Sequence, residues 1–176
     1  MSTAPFGSLT RSSGEPLNVL WLQSGGCGGC SMSLLCADTP DLPGTLRDAG
    51  IHLLWHPSLS LETGADVIAL MEDVLADRLR LDVLCIEGAL LRGPHGSGRF
   101  HMLAGTGLPM ITWVQQLAAR AGLVAAVGSC AAWGGISAGG DNPTEACGLQ
   151  YDDAHVGGLL GEAFRSPGCG HGQCRC

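Results

Sequence analysis

With 176 residues, of which 45% are hydrophobic, the chain is one domain's worth and has ample material for a buried core. A formal net charge of -7 without a Lys or Arg run excludes the electrostatic footprint of a nucleic-acid or anionic-membrane binder. No apolar run reaches the roughly 18 to 20 residues that a membrane-spanning helix needs.

Residues 1–16 are rich in Ser, Thr, Pro and Gly without periodicity and read as a disordered arm. They show neither an apolar signal core nor a twin-arginine pair, so a cytoplasmic location is expected. The domain is expected to start at Leu17. Four short apolar runs follow, at 17–22, 51–55, 81–86 and 123–127. They are near-continuous rather than alternating, which suits parallel strands covered on both faces. Between them, 65–75 and 108–121 carry helical spacing, with Ile68, Met71 and Leu75 expected on the buried stripe of the first. Strand alternating with helix predicts an α/β fold, a flavodoxin-like doubly wound parallel sheet with right-handed crossovers. A last helix at about 154–164 should lead into a fifth strand. The sequence from Ser166 to Cys176 has no β pattern, so the sheet is expected to lack that strand.

Nine cysteines would be few for a disulfide scaffold of this length, and a reducing cytoplasm disfavours disulfides, so metal or redox chemistry is expected of some of them. Cys27 and Cys30 lie in Ser24-Gly25-Gly26-Cys27-Gly28-Gly29-Cys30-Ser31, directly after the first strand and opening a helix. There, backbone N–H groups and the helix dipole are expected to favour thiolates by lowering their pKa. Flanking glycines let the backbone approach a bulky ligand. Cys130, in Val127-Gly128-Ser129-Cys130, ends the fourth strand. Parallel strands share one carboxyl rim, so Cys130 can face Cys27 and Cys30 across the sequence. Three thiols on one rim suggest an iron-sulfur cluster, which normally takes four. A thioredoxin-like dithiol, half of a zinc site, or inert thiols remain open on spacing alone, although a dithiol would not need Cys130.

Other candidates have plainer readings. Cys36 and Cys85 read as buried small hydrophobes, and Cys147 in a Gly-rich loop is undecided. His52 and His56, beside Trp55, read as hydrogen-bonded structural histidines. His95 and His101 fall in a Gly-rich excursion at 92–101 that could form part of a partner interface. Its Gly-x-Gly strings are weak as nucleotide signals, since no strand precedes and no helix follows them at the required spacing.

The string from Leu17 through Cys27 and Cys30 to Leu35, then Ile86-Glu87-Gly88-Ala89, then Val127 through Cys130 to Ile136, resembles nickel-iron hydrogenase small subunits in motif and in order. The likeness covers 17–166. It implies a flavodoxin-like domain related to the cluster-bearing subunit of respiratory complex I, with Cys27, Cys30 and Cys130 as three of the four ligands of a proximal 4Fe-4S cluster. It further implies a large subunit holding the nickel-iron centre that splits hydrogen, with this chain conducting the electrons. Glu87, on the same rim, would touch the cluster surroundings or the large-subunit interface; the plain alternative is a solvated strand-end acid. The Ser24 to Cys30 variant is similar to the regulatory, hydrogen-sensing type, for which a signalling kinase is a further expected partner.

Family members supply the fourth ligand from a Gly-Cys-Pro element after a fifth strand, then add a C-terminal domain with two more clusters. Neither element is found here. Residues 167–176 read as an aberrant tail in which Cys169, Cys174 or Cys176 could act as a surrogate ligand. The abrupt loss of likeness near Pro167 is what a shifted reading frame produces. Three functions follow as expectations: a hydrogenase electron-transfer subunit, an inactive truncated fragment without an intact cluster, or a cytoplasmic dithiol redox protein.

Overall fold

The computed structural model describes residues 14–152 and 155–161. Its centre is a four-stranded, all-parallel sheet ordered β2-β1-β3-β5. The strands are β1 (Leu17–Gln23), β2 (Ile51–Trp55), β3 (Val83–Glu87) and β5 (Leu123–Val127), so the four apolar runs are the four strands, with β3 beginning and ending slightly later than expected. Asp82, just before β3, is buried. It accepts the Asn18 backbone N–H at 2.8 Å and pairs with Arg80 at 3.1 Å, which anchors the strand's entry.

Parallel pairing aligns Leu20 with Leu84 and Val124, and Leu22 with Ile86 and Ala126. These rows meet α3 (Ala65–Leu75) and α4 (Met110–Ala118) in one core. In α3 the buried stripe is Val67, Met71 and Val74, with Ile68 and Leu75 at its half-buried margin. The expected stripe of Ile68, Met71 and Leu75 is thus rotated by about one residue about Met71, which both stripes share. α4 begins at Met110 rather than 108, since Pro109 drives Leu108 away from helical ψ and itself sits extended as the N-cap.

Shorter elements complete the chain. Helix α1 (Gly29–Leu35) carries Cys30, and α2 (Leu42–Asp48), unanticipated from periodicity, is capped by Asp41, whose carboxylate accepts the Gly44 N–H at 2.6 Å. Strand β4 (Leu90–Leu91) pairs antiparallel with β6 (Ala146–Cys147). Helix α5 (Gly128–Trp133) follows β5 without a gap. The helix expected at 154–164 is not formed over its described part, 155–161. His155–Val156 is instead strand β8, paired antiparallel with β7 (Tyr151–Asp152). The N–H groups of Gly157, Leu159 and Leu160 go to Gln150, Gly148 and Leu149, not to carbonyls one turn back. Glycines at 157, 158 and 161 disfavour a helix here. Of the N-terminal arm, residues 14–16 are described, and Arg80 holds Glu15 at 2.8 Å and the Pro16 carbonyl at 3.2 Å. The expected fifth strand and the tail lie outside the described residues.

β2 lies on one side of β1 and β3 on the other, so the chain reverses its winding direction at β1. The crevice beyond the carboxyl ends of β1 and β3 is the topological switch point, where open α/β sheets place their ligands.

Candidate metal-cluster site

Past the ends of β1 and β3 the two backbones stay joined. Gly25 and Ala89 exchange N–H···O bonds of 2.9 and 2.8 Å. Gly88 sits at φ +90°, and a Cβ there would lie 3.0 Å from the backbone carbons of Ser24 and Gly25, so this crossing admits only glycine. The approach to Cys27 is further held by Ser137, whose hydroxyl donates to the Gly25 carbonyl at 3.3 Å, and by a 3.2 Å hydrogen bond between Ser24 Oγ and His101 Nδ1.

From this base the turn rises to an exposed Cys27 and a half-buried Cys30, with Gly28 at φ +72° opening α1. Cys130, half-buried in α5, is an electrostatic neighbour of Cys30, as is Cys27. Two glycines keep the sulfurs clear. A Cβ on Gly128 (φ +81°) would collide with Cys30 Sγ, and one on Gly135 (φ +53°) would lie 2.6 Å from Cys130 Sγ. Burial first, then the charges of Glu87, Cys130 and Cys27, push the Cys30 thiol above its ordinary pKa. For Cys30 this runs against the expectation of a thiolate favoured by the helix N-terminus, while at Cys27 the sulfur does accept a backbone N–H, from Gly29 at 3.4 Å. The backbone N–H groups of Cys30 and Ser31 do not face sulfur; both donate to Glu87 Oε1 at 3.1 Å.

Glu87 is not a solvated strand-end acid. It is 3% exposed, and its Oε2 accepts from Trp21 Nε1 and Gln23 Nε2 at 3.1 Å each and from the Ser31 hydroxyl. Burial works to raise its pKa, but these donors outweigh it and hold the carboxyl below its ordinary value. Behind Ser31 stands His56, 1% exposed. Its Nδ1 accepts the Ser58 N–H at 3.0 Å, which puts the ring proton on Nε2, 3.3 Å from Ser31 Oγ. Burial, opposed by the Glu87 charge, lowers the His56 pKa and keeps the ring neutral. His56 is the hydrogen-bonded structural histidine that the sequence suggested, whereas Trp21, Gln23 and Ser31 were not singled out. Trp21 and Gln23 point to themselves only as polar-tipped residues in the last three positions of an apolar strand that runs into the cysteine turn.

The remaining candidates fall elsewhere. Cys36 is exposed, contrary to expectation: it is the C-cap of α1, and of the described helix residues only Ser31 is buried. Cys85 is buried, and burial pushes its thiol up to about 11. Cys147 is buried and donates to the Leu90 carbonyl at 3.7 Å. His52 is exposed and bonded to Asn18 at 3.0 Å. The excursion at 92–101 is fastened down: Glu145 accepts the His95 and Gly96 N–H groups at 2.6 and 2.8 Å, and Arg92 reaches Asp152 at 2.5 Å. Among the described residues no three His, Cys, Asp or Glu side chains stand close enough to grip a single metal ion.

Comparison with known proteins bears on the family and the overall fold. The small chain of hydrogenase-2 from Escherichia coli K12 is 33% identical over 75% of this chain and 34% of its own length. The periplasmic [NiFeSe] hydrogenase small subunit of Desulfomicrobium baculatum is 30% identical over 86% and 49%. Among solved structures, the [NiFeSe] hydrogenase of Desulfovibrio vulgaris Hildenborough superposes with a TM-score of 0.68 and 33% identity, covering 81% of this chain and 50% of that one. The chain thus spans about a third to a half of the length of these relatives. The family described as NADH ubiquinone oxidoreductase, 20 kDa subunit, matches residues 27–171, from the first cysteine of the turn onward. Because that match covers well over half of the chain, from Cys27 through β2, β3 and β5, the chain belongs to the NADH ubiquinone oxidoreductase 20 kDa subunit family, alongside the hydrogenase small subunits it resembles.

Proposed function

We propose that this chain is the electron-transfer small subunit of a nickel-iron hydrogenase, seating a proximal 4Fe-4S cluster on Cys27, Cys30 and Cys130 beside a large subunit that holds the nickel-iron centre. One observation carries the reading: Cys30 has both Cys27 and Cys130 as neighbours on the carboxyl rim, with Gly128 and Gly135 stripped of side chain where they meet the sulfurs. A dithiol would not need Cys130 or the glycine beside it. The donor set fits the group, since thiols gathered on one rim, with glycines keeping the space at the sulfurs clear, are the ligand type that an iron-sulfur cluster takes. When bound, such a cluster supplies one-electron transfer. The chain's own residues hold the turn, keep side chains out of the seat and place Glu87 beneath it. Cys169, Cys174 and Cys176 are the candidates for the fourth ligand.

The finer reading is a cytoplasmic, hydrogen-sensing complex with a signalling kinase as a further partner. It is supported by the Ser24 to Cys30 variant alone, and a relative that is periplasmic by name stands against the location. Anaerobic co-expression with a hydrogenase large subunit tests the central claim. Expected are a brown complex, about four irons and four sulfides per chain, and loss of both in Cys27→Ser, Cys30→Ser and Cys130→Ser. A colourless, iron-free chain would establish it as a fragment without a cluster. Retention of iron in Cys130→Ser would remove Cys130 from the ligand set.

A further inference from the structure

The most heavily bonded buried group of the site is not a thiol but the carboxylate of Glu87. Its Oε1 receives the Cys30 and Ser31 backbone N–H groups, and its Oε2 receives Trp21, Gln23 and the Ser31 hydroxyl, which is itself backed by His56. Two backbone bonds would suffice to cap the start of a helix. Every donor in this cage is a neutral group, and the ion pairs among the described residues lie elsewhere. The charge is therefore stabilised without being cancelled.

We propose that Glu87 is a positioning residue that sets the electron affinity of the site, its caged negative charge lowering the reduction potential of the group seated on Cys27, Cys30 and Cys130. The inference rests on the reading of this rim as a cluster seat. Reduction adds one electron, and a fixed negative charge in a medium of low dielectric opposes that gain. The carboxylate also claims the N–H groups of Cys30 and Ser31. Had they pointed at sulfur, they would have favoured the reduced, more negative form. Both effects act in the same direction.

The test uses the full chain in complex with its large subunit, titrated anaerobically with the reduced cluster followed by electron paramagnetic resonance. Glu87→Gln keeps the size and an acceptor oxygen but removes the charge. The ratio of reduced to oxidised cluster at fixed poise is expected to rise about tenfold, a midpoint about 59 mV higher for one electron. A purely structural role for Glu87 would leave the midpoint where it was. A midpoint equal to or below that of the parent overturns the proposal. Should Glu87→Gln assemble without a cluster, Trp21→Phe decides. It strips one donor from the carboxylate and keeps the charge, so the midpoint is expected to fall, and an equal or higher value overturns the proposal. A parent complex with no cluster signal overturns both this inference and the function on which it rests; a parent signal with unmoved variants overturns this inference alone.

Discussion

Cys85 shows how little a cysteine's chemistry follows from its presence in the sequence. It lies within β3 opposite Trp21, and burial alone lifts its thiol to about 11. At pH 8 it should resist iodoacetamide in the folded chain while Cys36 reacts, and mass spectrometry of the alkylated peptides separates the two. Gly128 makes the opposite point, that an absent side chain can be a requirement. In Gly128→Ala a methyl group meets Cys30 Sγ at a left-handed backbone angle. We expect a loss of about 1–2 kcal/mol in denaturant melts, together with a drop in bound iron. His56 and His101 are both held below their ordinary pKa, chiefly by burial. A depressed histidine pKa means that the unfolded chain binds more protons, so the stability they contribute is complete above about pH 6.5 and is lost as the pH falls through the window below it. Thermal melts at pH 7.5 and 5.5 should differ, and His56→Gln should narrow the difference. The thiols on the rim were legible in the sequence because each lies just past the end of an apolar run, and parallel strands share one carboxyl rim. The Glu87 cage was not, since Trp21, Gln23 and Ser31 come from a strand and a helix start, His56 from the loop after β2, and they converge only in three dimensions.

The elements were read best where pattern and burial coincide. β2, β5 and α3 lie at their expected bounds, because each is a continuous apolar or amphipathic run packed against the same core. α2 escaped notice because at seven residues it is too short to display a period. Its signal lies in its first residues, an acidic N-cap at Asp41 followed by Pro43. Asp41→Ala should therefore cost about 1 kcal/mol, within the usual 0.5–2 for a lost cap, measurable as a shift in the urea midpoint with unchanged slope. The misplaced helix at 154–164 is the converse. Apolar Val156, Leu159 and Leu160 have helical spacing, yet the glycines among them let the backbone bend back to Gly148, Leu149 and Gln150, where long-range bonds satisfy it.

For the molecule as a whole, the rim at the switch point is what the strand order builds, and the flavodoxin-like architecture was legible because alternation of strand and helix admits few topologies. Among the described residues no Cys set on the rim matches a hydrogen-splitting nickel site, so the chain purified alone is expected to show no hydrogen-dependent dye reduction. Reproducible activity in preparations free of large subunit would reverse the assignment of roles. The sheet order also fixes a sequence of events in time. β1 is made first but lies between β2 and β3, and the thiol that faces Cys30 arrives 100 residues later, after β5. During synthesis the Gly25–Ala89 crossing can close only once β3 has left the ribosome, and Cys130 follows it. Until then Cys27 and Cys30 stand on a nascent chain without their third neighbour, so the cluster we propose can be seated on all three thiols only after translation has passed Cys130.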